Sequence, residues 1–500
     1  MGYISNVFIE KELKNLKRKK SAAIDDLPPG ILKDCAKNIS KPLCYIINLS
    51  IKKGQVPKLW KIAKVTPIYK SGNTKLPENY RPISVLPILS KILEKAVHVQ
   101  LMHHLESNYL INSNQFGFRA KRSTKLASTL FVDNIRRQLD KGKLVGAVFL
   151  DLTKAFDTIS HSVLLEKLPA YGIDEIEKEW ICDYLFDRHQ LVKIDEIRSN
   201  TKAVLSGVPQ GSILGPLLFT IFFNDFAEHM TYCDTVKYAD DTVIYYSHAD
   251  YKEIEDKINI DLNRISTFFD DNELIINLKK GKSESMLFGT AKRLANTPSE
   301  FNCLYRGTKI NQVKEYKYLG NYIDSNLSFK ANFEKAYKKA SARLRLLEKM
   351  RPYLTKYATI QIYKMMIIPI LTYSGILCLE HNKYQLDRFK SLENRSRKII
   401  GEQYEVLEIR NQIIMEACLT VRKCLDGSLC SNFRNYFEVN EHHIGTRNNG
   451  LSLRLPKVKL SVAKQSFYFY GAKLYNSLPL SLRSTVDFKK FKELLHENFM

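Results

Sequence analysis

At 500 residues the chain is too long for one ordinary hydrophobic core, so several domains or a multi-lobed protein are expected. Hydrophobic residues make up 44% and aromatic ones 11%, which excludes bulk disorder. Lysine plus arginine number 77 against 53 aspartate plus glutamate; a net charge of +24 calls for a polyanionic partner, without separating nucleic acid from an anionic membrane or an acidic protein.

The elements follow in chain order. The start, MGYISNVFIEKELKNLKRKK, puts charge where a secretory signal would need an apolar stretch, and Gly2-Tyr3 with serine only at position 5 makes a poor acylation site. Helical spacing runs through residues 7–54, with Pro28 and Pro29 at the start of the second helix and Pro42 expected to break or restart it. KIAKVTPIY (61–69) suits a strand, and KSGNTKLPENYRP is a turn rich in breakers. Helices are expected at 88–105 and 126–139, then a buried strand at 144–152 that ends in an aspartate. HSVLLEKLPAYG (161–172) and PLLFTIFFNDF (216–226) read as helices on either side of the loop SGVPQGSILG. TVKYADDTVIYYS (235–247) reads as two strands folded about an Asp-Asp turn. An amphipathic helix follows, then strands near 274–278 and 286–289. Between residues 330 and 351 eight lysines or arginines meet two glutamates, giving a helix face suited to phosphates. MMIIPILTYSGILCL (365–379) is short for a bilayer span and interrupted by Pro369 and Gly375, so it reads as core, with no membrane partner.

Nine cysteines, odd in number and without framework spacing, point to a reducing, intracellular setting. Cys418, Cys424 and Cys430, followed by His442 and His443, lack the short spacing of a zinc knuckle and read as ordinary thiols.

The chemistry lies in KYADDTVIYY. Adjacent carboxylates on a hairpin turn are costly in a buried setting unless cations neutralise them. Asp151, closing another apolar strand, is expected beside Asp240 and Asp241. Three carboxylates at strand ends can hold two Mg²⁺ ions about 4 Å apart, with Mn²⁺ as an alternative ion. That is the apparatus of nucleotidyl transfer, in which positioning and charge neutralisation do most of the work. Phe156, five residues beyond Asp151, could press on the sugar of an incoming nucleotide and reject a 2′-hydroxyl. In SGVPQGS, Gly207, Pro209 and Gly211 suit a backbone that closely approaches a ligand, and Gln210 could touch the base or template. Lys70 and Arg81 flank a turn from which they could reach a triphosphate.

VTPIYKSGNTKLPENYRPISVLPILSKILEK, NQFGFRAKRST, VFLDLTKAFDTISHSVLLEKL, SGVPQGSILGPLLFTIFFND, YADD, INLKKGKSESMLFG and YKYLGNYID occur in that order. The ordered set resembles the reverse transcriptases of non-LTR, LINE-type retrotransposons, in their jockey-like or RTE-like part, over about residues 5–400. The resemblance implies an α+β right-hand polymerase fold with fingers, palm and thumb and a small C-terminal extension. Its expected divisions are 1–110 (N-terminal and fingers), 111–300 (fingers and palm), 301–400 (primer grip and thumb) and 401–500 (extension). It implies metal binding by Asp151, Asp240 and Asp241, and a steric gate at Phe156. Triphosphate contacts are implied from Lys70, Arg81 and either Lys280 or Lys282, together with a nucleotide site shaped by Gly207 to Gly211. A primer grip at Tyr318, Leu319 and Gly320 completes the set.

The implied partners are an RNA template, a DNA primer, their RNA–DNA duplex and deoxynucleoside triphosphates, in nucleus and cytoplasm. The expected departures are the lack of an endonuclease domain ahead of the polymerase and AIDDLPPG where relatives read close to GPDGIP. Two rivals stay open: an inactive nucleic-acid-binding derivative and, disfavoured by Phe156, an RNA-dependent RNA polymerase.

Overall fold

The computed structural model describes residues 1–18, 23–298, 300–401, 407–440 and 451–499. His442, His443, the end of the KNLKRKK run and residues 445–450 lie outside these. By contacts the chain divides into two compact units, each threaded from three segments. Unit 1 takes Met1–Phe118, Asp151–Thr231 and Arg264–Asn277; unit 2 takes Arg119–Leu150, Tyr232–Asn263 and Leu278–Met500.

The strands are β1 (Ile62–Tyr69), β2 (Tyr80–Val85), β3 (Leu144–Leu150), β4 (Arg188–Ile194), β5 (Ile197–Arg198), β6 (Lys202–Val204) and β7 (Asp234–Tyr238). They continue as β8 (Asp241–His248), β9 (Glu284–Phe288), β10 (Leu304–Tyr305), β11 (Thr308–Lys309), β12 (Asn311–Gln312), β13 (Glu315–Tyr318) and β14 (Asn321–Asp324). With the helices interspersed among them, the architecture is α+β.

In unit 1, β1 pairs antiparallel with β2 and parallel with β4, which also carries β5 and β6. The N-terminal helices Asn6–Lys14 and Ala36–Lys53 pack on each other because Ile9 and Leu13 meet an apolar face of Leu43, Cys44, Ile47 and Ile51, spaced three to four residues apart. Pro42 does not break the second of these, contrary to expectation. It sits inside a continuous 18-residue helix, and the interruption falls instead at Cys35. An interior proline costs roughly 3 kcal/mol, which burial of that apolar face offsets. Trp180, fully buried on the Glu175–Leu185 helix, donates its Nε1–H to Ser50 Oγ at 3.1 Å and fixes a third helix to the same face.

Unit 2 is built on a five-stranded sheet in the order β12-β9-β3-β8-β7. All seven residues of β3, LVGAVFL, are buried, since the strand is paired on both edges and covered on its faces. Gly146 lets the Tyr251–Asp271 helix and the Phe301 ring come close: a Cβ there would lie 2.5 Å from Ile254 and 2.6 Å from Phe301. On the other face the Thr124–Asp140 helix inserts Phe131 among Phe149, Tyr245, Phe288 and Tyr318.

The same helix anchors the C-terminal segment of unit 2. Asp133, fully buried, accepts from Tyr436 Oη (2.9 Å), Phe467 N and Tyr468 N (3.1 Å each), and Asp140 accepts from Lys459 N and Leu460 N. Arg136, also fully buried, donates to Leu377 O and Gln465 O, and Arg137 lies over the rings of Tyr436 and Tyr468. Burial pushes the Asp133 carboxyl up despite Arg136 and Arg137 beside it.

One helical run among the described residues, Lys356–Leu377, is long and apolar enough to cross a membrane. Within it Ile367, Ile368 and Leu371 are buried, and its Ile368–Thr372 part packs on the Lys330–Met350 and Ile409–Leu425 helices. The strand expected at 274–278 is not formed: only an isolated bridge, Leu152 with Ile276, is present.

Candidate active site

Within unit 2, β7 and β8 form a hairpin whose last pair is Tyr238 with Asp241, so Ala239 and Asp240 make the turn. Ala239 adopts φ 59°, a left-handed conformation that an alanine holds only at a cost of roughly 1–2 kcal/mol. The bend leaves Asp240 half-buried and Asp241 exposed at the first position of β8. In the sheet, Leu150 at the end of β3 stands opposite Thr242. Asp151 is the next residue after Leu150.

Asp241 borders a cavity of about 200 Å³ walled by Phe149, Thr242 and the segment Tyr316–Gly320. The structure thus brings Asp241 together with Tyr318, Leu319 and Gly320. Those residues form the tip of the β13–β14 hairpin, whose last pair is Tyr318 with Asn321. Leu319 (φ 44°) and Gly320 (φ 85°) both take the positive φ that a tight two-residue hairpin requires. The Tyr373 hydroxyl pins the tip by hydrogen bonds of 2.8 Å to Leu319 O and to Thr124 Oγ1. Phe149 stacks on Tyr316 at 4.1 Å and joins this hairpin to the sheet. Burial, and after it the charge of Asp241, pushes the Tyr318 phenol well above its ordinary range.

Lys282 and Lys280 sit on the turn before β9. Lys282 is half-buried and its carbonyl accepts from Tyr316 Oη at 3.1 Å, whereas Lys280 is exposed.

Unit 1 holds the remaining candidates. The Asp151 carbonyl accepts from Asn277 N (2.8 Å), and its carboxylate Oδ2 accepts from Asn277 Nδ2 (3.2 Å). Phe156 is half-buried, stacked on Phe219 at 4.6 Å and edge-on to Phe118 at 6.0 Å, so its ring has little freedom. The SGVPQG loop is bound to the same segment. Val208 N donates to Phe156 O, Gly207 N to Ile159 O, and Gln210 Nε2 to Asp157 Oδ1 at 2.8 Å. A Cβ on Gly207 would meet the Asp157 backbone at 2.6 Å, and one on Gly211 would meet Ser84 O at 2.6 Å; both glycines also have positive φ. The close approach read from the sequence is therefore made to protein backbone. Pro209 lies between the two glycines, within this clamp.

Lys70 and Arg81 are exposed at the loop end of the β1–β2 hairpin, where Ile68 pairs with Arg81. Alternation puts Lys70 on the face of Ile68, and so on the same face as Arg81.

Two carboxylates in unit 1 escaped the sequence reading. Asp157 pairs with Gln210, and burial raises its pKa. Glu94, also raised by burial, accepts from Ile213 N (2.6 Å) and so holds the start of the Gly215–Phe222 helix. The AFD triplet could have flagged Asp157; nothing in the Glu94 neighbourhood marks it.

Carboxylate oxygens are the hard donors that Mg²⁺ prefers, and Asp240 and Asp241 offer two such groups at adjacent positions of the chain. Among the described residues, no three His, Cys, Asp or Glu side chains converge closely enough to hold a metal ion. Cys418, Cys424 and Cys430 are buried thiols; burial raises Cys418 and Cys424 to about 12.

A family model described as reverse transcriptase (RNA-dependent DNA polymerase) matches residues 68–323, which takes in every candidate site residue from Lys70 to Gly320. The chain belongs to the reverse transcriptase family. Its reverse transcriptase domain is related, at moderate identity, to those of jockey-like non-LTR elements. A probable RNA-directed DNA polymerase from transposon BS of Drosophila melanogaster is 29% identical over 414 residues, 79% of this chain and 44% of that protein. The RNA-directed DNA polymerase from mobile element jockey of the same species is 29% identical over 370 residues, 71% of this chain and 40% of that protein. The chain thus spans less than half the length of these reverse transcriptases. Among solved structures, telomerase from Candida albicans in complex with a telomeric RNA fragment is 13% identical with a TM-score of 0.37. That match covers 77% of this chain and 66% of the telomerase chain, and the likeness is too slight to carry an argument.

Proposed function

We propose that this chain is an RNA-directed DNA polymerase that extends a DNA primer on an RNA template with deoxynucleoside triphosphates. The observation that carries the reading is the cavity where Asp241, at the start of β8, meets the Tyr318–Gly320 hairpin tip inside the matched family segment. Asp240 and Asp241, adjacent in the chain, would offer carboxylates to two Mg²⁺ ions, with Asp151 as the third ligand that the family resemblance implies. When bound, the ions neutralise the charge developing on the triphosphate and favour the 3′-hydroxyl as nucleophile.

The remaining work falls to the protein's own groups. Tyr318, Leu319 and Gly320 hold the primer end, and their rigid turn fixes it against Asp241. Phe156, immobilised between Phe219 and Phe118, excludes a ribose 2′-hydroxyl. Lys70 and Arg81 grip the triphosphate from one hairpin face, joined by Lys282, whose main chain is tied to Tyr316, in preference to Lys280. Gln210, oriented by Asp157, contacts the base or template. This assigns fingers, palm and thumb roles to segments in the order of a right-hand polymerase, with the basic Lys330–Met350 helix against the RNA–DNA duplex. Work in nucleus or cytoplasm follows from such substrates.

Primer extension on an RNA template with deoxynucleotides and Mg²⁺ tests the proposal, alongside an Asp240→Asn, Asp241→Asn double variant. Template-dependent DNA synthesis that the double variant lacks is the expected result. Absence of synthesis by the unaltered protein, with primer–template still bound, would favour the rival: an inactive derivative whose remaining role is nucleic-acid binding.

A further inference from the structure

Within FRAKRST, Phe118 borders Phe156 and Thr124 meets Tyr373, whereas the basic residues Lys121 and Arg122 have no role in the site above. In unit 2 they meet a separate feature. Lys121, Arg122 and Leu126, at the start of the Thr124–Asp140 helix, line a cavity of about 530 Å³ together with Lys423, Leu429 and Phe488 from the C-terminal region. That volume is in the range of roughly 300–1,000 Å³ typical of ligand pockets.

The lining has two chemistries. Leu126, Leu429 and the Phe488 ring are apolar, and the Lys423 ammonium stands 5.4 Å from the centre of that ring. Lys121, Arg122 and Lys423 supply positive charge, and the Arg122 guanidinium is oriented by Asn432 Oδ1 at 3.0 Å. The one carboxylate in the lining, Asp426, is already ion-paired with Arg422 at 3.0 Å. The Ser123 side chain accepts from Leu126 N, and the positive end of a 17-residue helix adds to the field. An occupant that satisfies such a wall has an anionic group joined to a flat apolar body.

We infer that this cavity takes one nucleotide of a single-stranded nucleic acid, with its base against Phe488 and its phosphate among Lys121, Arg122 and Lys423. An aromatic face beside cations accepts any base, and a surplus of 24 positive charges concentrates polyanions around the chain. The site needs neither metal nor the three aspartates, so it stands or falls apart from the polymerase proposal.

The test uses the full chain and a single-stranded RNA of about 12 nucleotides carrying 4-thiouridine, without divalent ions or deoxynucleotides. Irradiation is followed by peptide mapping. Crosslinks are expected in residues 119–126, 423–429 or the peptide containing Phe488. A Lys121→Glu, Lys423→Glu double variant should lower the yield at these peptides about tenfold, while crosslinks elsewhere persist. Phe488→Leu, which keeps an apolar side chain but removes the stacking face, should lower it as well and serves if the charge reversal disturbs folding. Competition by AMP at concentrations matching the RNA on a per-nucleotide basis would identify a free nucleotide as the source of the same chemistry; competition by unlabelled RNA alone would identify a strand. Crosslinks that avoid all three peptides, or that neither variant reduces, overturn the assignment.

Discussion

A side chain acts as a gate only if it cannot move aside, and the surroundings of Phe156 meet that condition. Its ring is stacked on Phe219, which is itself buried in a helix, and is closed off at the edge by Phe118. Its carbonyl accepts a main-chain bond from Val208 that survives any substitution. Phe156→Ala should therefore remove the ring without unfolding the loop. Ribonucleotide incorporation relative to deoxynucleotide is expected to rise by at least about tenfold, the scale on which a steric contact discriminates. Competing single-nucleotide incorporations measure the ratio, and an unchanged ratio would remove Phe156 from the nucleotide site. Phe156 and the aspartates stand out as candidates in the sequence because their residue types are costly or conspicuous at those positions. Glu94 does not: besides Ser90 Oγ, its partners are main-chain N–H groups more than a hundred residues away in the chain, and no local pattern encodes them.

Elements with a strong period were legible, as β1, β3, the β7–β8 hairpin and the Tyr251–Asp271 helix illustrate. The failures came where tertiary contacts overrode a local signal. Pro42 is carried within a helix by the buried face beneath it, and 274–278 uses its main chain to bind the stretch after Asp151 in place of joining a sheet. The Thr124–Asp140 helix is the instructive case, since LASTLFVDNIRRQL reads as amphipathic. Asp133 and Arg136, on its apparent polar side, are both fully buried, because the C-terminal segment covers them. The resemblance implies a small C-terminal extension there, and its residues Tyr436, Lys459, Leu460, Phe467 and Tyr468 are bonded directly to this helix. Asp133→Ala would leave Phe467 N, Tyr468 N and Tyr436 Oη without their acceptor and Arg136 without its neighbouring carboxylate. A loss of about 3 kcal/mol or more is expected. A lower urea midpoint with an unchanged slope would register it, and Asp133→Asn, which retains one acceptor, should fall between. A loss below about 1 kcal/mol for the alanine variant would mean that apolar packing alone holds the segment.

On the scale of the whole chain, the proposed function predicts that the surplus of 24 positive charges drives the binding of nucleic acid. Some cations are already committed to carboxylates, among them Lys125 with Glu416, Lys167 with Asp225 and Lys335 with Glu315. Others are exposed on one element, as Lys338, Lys339, Arg345 and Lys349 are on the Lys330–Met350 helix. Each phosphate neutralised by such a group releases condensed counterions, and the binding constant then falls with salt by a slope of about −0.9 per phosphate. If the surplus serves binding, primer–template affinity followed by fluorescence anisotropy from about 50 to 300 mM salt should show a log–log slope of about −5 or steeper. Reversing Lys338 and Lys339 to glutamate should make that slope shallower by about 2, beyond weakening the affinity. A slope of about −1 in the unaltered protein would assign the charge to solvation, leaving recognition to the shape of the cavities and the stacking of bases.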